Sequence, residues 1–394
     1  MRVLVATTAG AGHFSPLVPV ARACAAAGHE VLVAAPESFR GTVESAGFAH
    51  AAFADVQPEV MGQTFSRLPF LSYEQANEVV IADVFGRLDA QAALPGVSDI
   101  FDAWKPDLVL RDPCEFASLA VACRSGVAQA IVAIGVSAMT DAVADFVTEP
   151  LAELDALAGL TVGSCVAALA GTETVTSVPA ILDGEPAGKL HRYRDGAANT
   201  PRRGLPDPWG EPDDPLVYVT FGSVAGSQGR FDDLYRRVLE VLADEPVRVL
   251  LTTGQGLDPA ELGSVPDNAK VERWWAQTDV MPHAGVAVGH GGFGTTMNAI
   301  AAGVPQVIMP LFSLDQRLNA EHVEAVGAGL ALRLGAEDVG RIPQAVSTLL
   351  AGTSHREAAQ EVAAQIAQLP PVAQMVPVLE EIAAGGGVGP VLSA

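Results

Sequence analysis

The sequence predicts an α/β protein built from two doubly wound, Rossmann-like domains that face a cleft. Three observations carry this expectation. The chain has 394 residues, whereas single hydrophobic cores stop growing beyond roughly 250 to 300 residues. Short apolar strands alternate with helices in each half, the pattern of a parallel sheet covered on both faces. Between the halves, residues 194–215 read RDGAANTPRRGLPDPWGEPDDP, dense in proline, glycine and charge as an interdomain linker is. The expected division is an N-terminal domain over 1–193, a linker over 194–215, a C-terminal domain over 216–369, and a terminal helix with a disordered, glycine-rich tail over 370–394.

The elements follow in order. In the first half, Arg2 to Ala6, Val31 to Ala35, Pro106 to Leu110 and Ala130 to Ile134 read as strands, with helices over Pro16 to Ala27 and Glu115 to Arg124. From Asp55 to Leu94 the pattern becomes irregular, as either a mobile loop region or ordinary helical packing. The second half opens with the strand LVYVTF (Leu216 to Phe221), followed by Gly222-Ser223 and a helix from Asp232 to Asp244. Strands over Val247 to Thr252, Lys270 to Arg273, Gly285 to Gly289 and Val307 to Met309 complete it, with a helix expected over Met297 to Ala302.

Composition bounds the function. The chain is 49% hydrophobic and 18% charged, as a globular protein is. Its longest apolar region, Phe116 to Met139, is interrupted by Arg124 and fails as a membrane span. The N-terminus lacks the layout of a signal peptide, so a cytoplasmic protein is expected. Cys24, Cys114, Cys123 and Cys165 form no C-x-x-C pair, which favours buried thiols over disulfides or zinc. A net charge of −23 argues against nucleic acid and anionic membranes as partners, because both would be repelled. An anionic ligand must then be held by local means.

The stretch His290 to Ala320, HGGFGTTMNAIAAGVPQVIMPLFSLDQRLNA, supplies those means. A glycine turn that opens into a helix exposes backbone N–H groups and the positive end of the helix dipole, and its missing side chains let a phosphate approach. His290, Gly291, Gly292, Gly294, Thr295 and Thr296 are the candidate phosphate ligands. Asp315 and Gln316 follow the next strand with an acceptor and a donor suited to sugar hydroxyls. Ser223, after a strand, is placed to reach a phosphate, and Trp274 is a candidate to stack on a base, with a core position as the alternative.

At the other end, the first strand runs into Thr7-Thr8-Ala9-Gly10-Ala11-Gly12-His13. A dinucleotide fingerprint would need a third glycine and an acidic residue closing strand 2, and Val33-Ala34-Ala35-Pro36 ends without one. His13 instead puts an imidazole at the carboxyl edge of the sheet, where a neutral ring can remove a proton from an attacking hydroxyl. Asp112, just past another strand of that edge, is the candidate to orient it, although an aspartate there can also cap a helix. No D-x-D pair or metal-ligand spacing is present, so no metal is expected.

These motifs resemble the donor-binding signature and base of the family 1 glycosyltransferases of the GT-B fold, which include bacterial antibiotic glycosyltransferases. The matching pieces are H-G-G-x-G-T-T, Gly303 to Pro305, Asp315-Gln316, Asn319-Ala320 and, upstream, Trp274-Trp275-Ala276-Gln277, with Ala276 where proline is usual. Gly12 to Pro16 matches the family's G-H-x-x-P turn, and Asp112 its base-supporting aspartate. The resemblance implies transfer from a nucleotide-sugar co-substrate, with Gln277 on the donor side; the absence of a D-x-D pair makes the transfer metal-independent by expectation, and single displacement makes it inverting. The resemblance also implies an apolar small-molecule acceptor touching the irregular region, where Phe65, Phe70 and Tyr73 are candidates, in a monomer or homodimer. Other readings on the same fold are an epimerase, a lipid-linked sugar transferase and a non-catalytic partner.

The sequence departs from the pattern twice. Asn298 stands where relatives carry a glutamate that accepts both ribose hydroxyls, and an amide accepts on one side only. A thymidine nucleotide lacks the 2′-hydroxyl, so a dTDP-linked, deoxygenated sugar is expected over a UDP-sugar. One extra residue, Ser313 or Leu314, separates Pro310 from Asp315, which bears on the sugar contacts.

Overall fold

The computed structural model describes residues 1–184, 188–196, 204–222, 225–227, 231–333 and 335–385. Ser223 and the glycine-rich tail therefore lie outside the described residues. Two parallel sheets are present. The first runs β3-β2-β1-β4-β5-β6-β7, with β1 Arg2–Ala6, β2 Glu30–Pro36, β3 Ala49–Phe53, β4 Leu108–Arg111, β5 Ala128–Val132, β6 Glu173–Thr176 and β7 Leu190–Arg192. The second runs β10-β9-β8-β11-β12-β13, with β8 Leu216–Thr220, β9 Arg248–Thr252, β10 Ala269–Glu272, β11 Ala284–Gly289, β12 Gln306–Ile308 and β13 Gly329–Ala331. Every strand pair is parallel. These are two Rossmann-like sheets of an α/β protein.

In each sheet the strand order reverses once, between β1 and β4 and between β8 and β11. Loops leaving neighbouring strands at such a point turn to opposite faces and open a crevice at the carboxyl edge. The strands are buried on both faces, so they read as continuous apolar runs. Val3, Val5, Leu108 and Leu110 anchor the first core, and Val217, Val219, Val286 and Val288 the second.

The chain divides differently from the linear boundaries expected. The first unit takes Met1–Ser177, a stretch ending at Asp195, and the segment from Pro370 onward. The terminal helix Met375–Gly385 buries Met375, Val376 and Leu379 in the first core, against Val20 and Cys24. Val178–Gly184 belongs to the second unit, where His322 Nδ1 lies 2.6 Å from the Leu182 carbonyl. The second half of the expected linker is packed: Leu205 and Trp209 lie against the second unit's core, and the Arg248 guanidinium sits 5.6 Å over the Trp209 ring.

The irregular region resolves into helical packing. Helices cover Pro58–Arg67, Leu68–Phe70 and Tyr73–Glu78, the last opened by a capping box between Ser72 and Gln75. A π-helix over Val79–Asp89 leads into the helix Ala90–Trp104. Strands β3, β6, β7 and β13 and the 22-residue helix Ser137–Ala158 had no distinct sequence signal. Among the described residues, no helix is long and apolar enough to cross a membrane, and all four cysteines are buried and outside any disulfide.

Candidate active site

The first unit's crevice holds the predicted base. After β1 the chain turns through Thr7 to Gly10 into the short helix Ala11–Phe14, whose last turn carries His13. Asp112 directly follows β4, and its N–H donates to the Ala6 carbonyl at 3.1 Å, which extends the β1–β4 ladder by one step. His13 Nδ1 and Asp112 Oδ1 are 3.1 Å apart, with Asp112 fully buried and His13 21% exposed. Two backbone amides also donate to the carboxylate, Thr8 N–H at 3.0 Å and Cys114 N–H at 2.7 Å. Burial by itself would raise the Asp112 carboxyl, but the facing His13 charge and these hydrogen bonds hold it below the ordinary carboxylate value. An ionised Asp112 fixes Nδ1 as the protonated nitrogen and leaves Nε2 to act as a base.

Arg111 buttresses the pair from the last residue of β4. It is fully buried, and its guanidinium reaches the Gln129 Oε1 at 3.1 Å and the Asp112 carbonyl at 3.3 Å. A grouping hidden by sequence spacing also appears: His13, Asp112 and Cys114 bring ligand-type atoms within 4.8 Å of one another. Asp112 Oδ1, however, is already engaged by His13 and the Cys114 amide. The ring against His13 belongs to Phe85, at 5.2 Å between centroids, which sequence reasoning missed. Of the aromatic candidates, Phe70 is 88% and Phe65 46% exposed, and Tyr73 is half-buried.

The second unit's crevice holds the glycine turn. The helix begins at Phe293, four residues earlier than expected, with Gly292 as its N-cap. Gly294, Thr295 and Thr296 are therefore helical rather than part of the turn. The Thr296 N–H closes on the Gly292 carbonyl at 3.0 Å, so the amides of Phe293, Gly294 and Thr295 precede the first intrahelical bond and point outward. Thr296 is 3% exposed and supports the turn from inside. Gly291 adopts φ +87°, and a Cβ there would lie 2.6 Å from the Gln316 carbonyl oxygen. Asn319 Nδ2 holds the turn by donating to the Gly291 carbonyl at 2.8 Å.

His290 follows β11, 9% exposed, with its Nδ1 buried and unpartnered among the described residues. Its ring is wedged between glycines: a Cβ at Gly222 would lie 2.7 Å from Cε1, and one at Gly292 would lie 2.6 Å from Nε2. Burial pushes the imidazole down from 6.5 to about 4, so it is neutral at physiological pH. The unfolded chain takes up a proton near pH 6.5 that the folded chain refuses until about pH 4. Stability is therefore full above pH 6.5 and declines as pH falls toward 4, by up to about 3 kcal/mol. His290→Asn is expected to lose less stability on acidification than the parent, measured by urea unfolding at pH 7.5 and 4.5.

Around this turn, Gln277 Nε2 donates to Thr295 Oγ1 at 2.8 Å and Asn298 Nδ2 donates to Gln277 Oε1 at 2.9 Å. The three predicted donor-side residues thus form one chain of side chains. Trp274 is 64% exposed, with a face available for stacking, whereas Trp275 packs against the core. Asp315 and Gln316 lie in the first turn of the helix Leu314–Ala325, not at a strand end. Gln316 is 2% exposed, and its Oε1 accepts from the Leu311 and Phe312 amides at 2.8 and 3.2 Å. It shapes the loop that carries the extra residue, and only its Nε2 end remains for a ligand.

Similar proteins place this pair of crevices in a family. Residues 22–183 match the N-terminal domain, and 236–382 the C-terminal domain, of the erythromycin biosynthesis protein CIII-like family. The L-demethylnoviosyl transferase of Streptomyces niveus is 32% identical over 94% of the chain and 95% of its own length. The TDP-daunosamine transferase DnrS of Streptomyces peucetius is 26% identical over 98% of the chain and 97% of its own. Among solved structures, the glycosyltransferase SnogD from Streptomyces nogalater is 26% identical with a TM-score of 0.73, covering 97% of this chain and 99% of that one. The Streptomyces glycosyltransferase SsfS6, complexed with thymidine diphosphate, is 26% identical with a TM-score of 0.75, covering 97% of this chain and 99% of that one. With two Rossmann-like sheets and both domains of the family matched along it, the chain belongs to the family 1, GT-B-fold glycosyltransferases of antibiotic biosynthesis.

Proposed function

We propose that the protein is an inverting, metal-independent O-glycosyltransferase that moves a deoxygenated sugar from a dTDP donor to a hydroxyl of an apolar natural product. The observation that carries the mechanism is the His13–Asp112 pair. His13 Nε2 removes the proton of the acceptor hydroxyl as its oxygen attacks the anomeric carbon, and Asp112 stabilises the imidazolium that forms. The C–O bond to the diphosphate breaks from the opposite side, so a single displacement inverts the configuration. The leaving diphosphate is stabilised by the outward amides of the helix start and by neutral His290 as a hydrogen-bond donor.

Support for the nucleotide comes from Asn298. Its amide nitrogen is spent on Gln277, so a single oxygen, Oδ1, remains to accept from ribose. One acceptor suits a ribose with one free hydroxyl better than two. Relatives point the same way: one transfers from a TDP-sugar by name, and another was solved with thymidine diphosphate. Turnover of dTDP-glucose is expected to exceed that of UDP-glucose, and Asn298→Glu to shift the ratio toward UDP by about tenfold, the worth of one good hydrogen bond. The same assay keeps its rate in excess chelator. A clear preference of the parent protein for UDP-glucose rejects the nucleotide assignment, and activity lost to chelator rejects metal independence.

A further inference from the structure

The π-helix Val79–Asp89 is a rare geometry that gathers at functional sites. Gly86 sets its approach to the helix Ser137–Ala158, since a Cβ there would lie 2.8 Å from the Pro150 Cβ. Next to it, Phe85 reaches the His13 ring. Asp89 lies four residues on, about one turn of this wide helix, and so shares the face of Phe85. The other charged residues of the segment are used elsewhere. Arg87 pairs with Asp83 at 2.8 Å, Glu153 at 3.0 Å and Glu149 at 3.4 Å.

Asp89 has no such use. Among the described residues its half-buried carboxylate has neither a hydrogen-bond donor nor an ion-pair partner. The charges that act on it are those of His13 after β1, Asp112 after β4 and Asp55 after β3, and Phe85, on its own helix face, meets the His13 ring. Burial, with the Asp112 and Asp55 charges working against that of His13, pushes its carboxyl up to about 6. A carboxylate that has lost part of its hydration and gained no donor from the chain is costly until a ligand supplies one. The apolar ring of Phe85 beside it favours a flat, apolar ligand that carries such a donor.

We propose that Asp89 is a specificity-determining residue that accepts a hydrogen bond from a second hydroxyl of the acceptor, adjacent to the one His13 deprotonates. The preferred acceptor is then a vicinal diol on an aromatic frame rather than a mono-ol. This rests on the reading of His13 as the base, and the two fail separately: transfer that survives His13→Ala removes the base without touching the binding preference described next.

The test is calorimetric titration of the full chain with 2-naphthol and 2,3-dihydroxynaphthalene, for the parent, Asp89→Asn and Asp89→Glu, at pH 7.5 and 5.0. The parent is expected to bind the diol about 10- to 100-fold more tightly at pH 7.5, the range of one charge-assisted hydrogen bond. That preference shrinks at pH 5.0 as the carboxyl takes up a proton. Asp89→Asn is expected to lose most of the preference and all of its pH dependence, and Asp89→Glu to regain part of both. A residue that merely supports the helix would move both affinities together. Equal binding of the two probes by the parent, whether tight or undetectable, overturns the proposal, as does a preference that survives in Asp89→Asn.

Discussion

His13→Ala lowers kcat for sugar transfer by about 10²- to 10⁴-fold, the usual worth of a positioned general base, while the thermal midpoint stays near that of the parent. The two halves of this expectation have separate causes. His13 is partly exposed on a four-residue helix and fills no core position, so its removal costs little packing. Removing it nevertheless leaves the attacking hydroxyl without a proton acceptor, and among the described residues it leaves the buried Asp112 carboxylate with the Thr8 and Cys114 amides as donors. Asp112→Asn is expected to be similarly damaging, because an amide no longer demands a protonated Nδ1 and the ring can settle with Nε2 blocked. Retained transfer in purified His13→Ala protein, measured with a saturating donor, means that another group is the base.

Gly291→Ala is expected to abolish donor-induced stabilisation and to lower unfolding stability by about 2 kcal/mol or more. Left-handed backbone at a residue with a Cβ costs roughly 1–2 kcal/mol. Here the added carbon would also meet the Gln316 carbonyl oxygen at 2.6 Å and the Ile308 Cγ2 at 2.9 Å. The turn must shift to relieve these contacts, and Asn319, which grips the Gly291 carbonyl, shifts with it. The outward amides of Phe293 to Thr295 then no longer converge. Thermal shift with thymidine diphosphate reads both effects, since a bound ligand raises the midpoint by mass action. A normal ligand-induced shift in Gly291→Ala would show that the turn is not the phosphate site.

Much of the site was legible because its motifs are local. The β1–glycine turn–His13 unit and the β11–glycine turn–helix unit each span about ten residues, and such segments advertise backbone geometry through glycine and strand propensity. The helix starts four residues before the position that sequence favours, because Gly294, Thr295 and Thr296 are poor helix formers and the tertiary setting overrides that preference. An amide beside a carboxylate suits sugar hydroxyls, and from sequence both ends of Gln316 look available to them. Only the folded loop shows its oxygen turned back onto Leu311 and Phe312. Phe85 and Asp89 carry no sequence signal, because an apolar helical run looks the same whether its face meets a core or a polar crevice.

The sequence by itself determined the two-domain α/β class, the places where parallel strands feed glycine turns, and the chemistry those turns offer an anionic ligand in a chain of charge −23. All of these follow from composition and from periodicities over a few residues. The sequence put His13 and Asp112 at one sheet edge, but only the tertiary structure brings Nδ1 and Oδ1 to 3.1 Å across 99 positions and returns the terminal helix to complete the first core. The tertiary structure also decided that burial keeps His290 neutral. Pairing across such separations is set by strand order and by exclusion of water, neither of which any short stretch of sequence encodes.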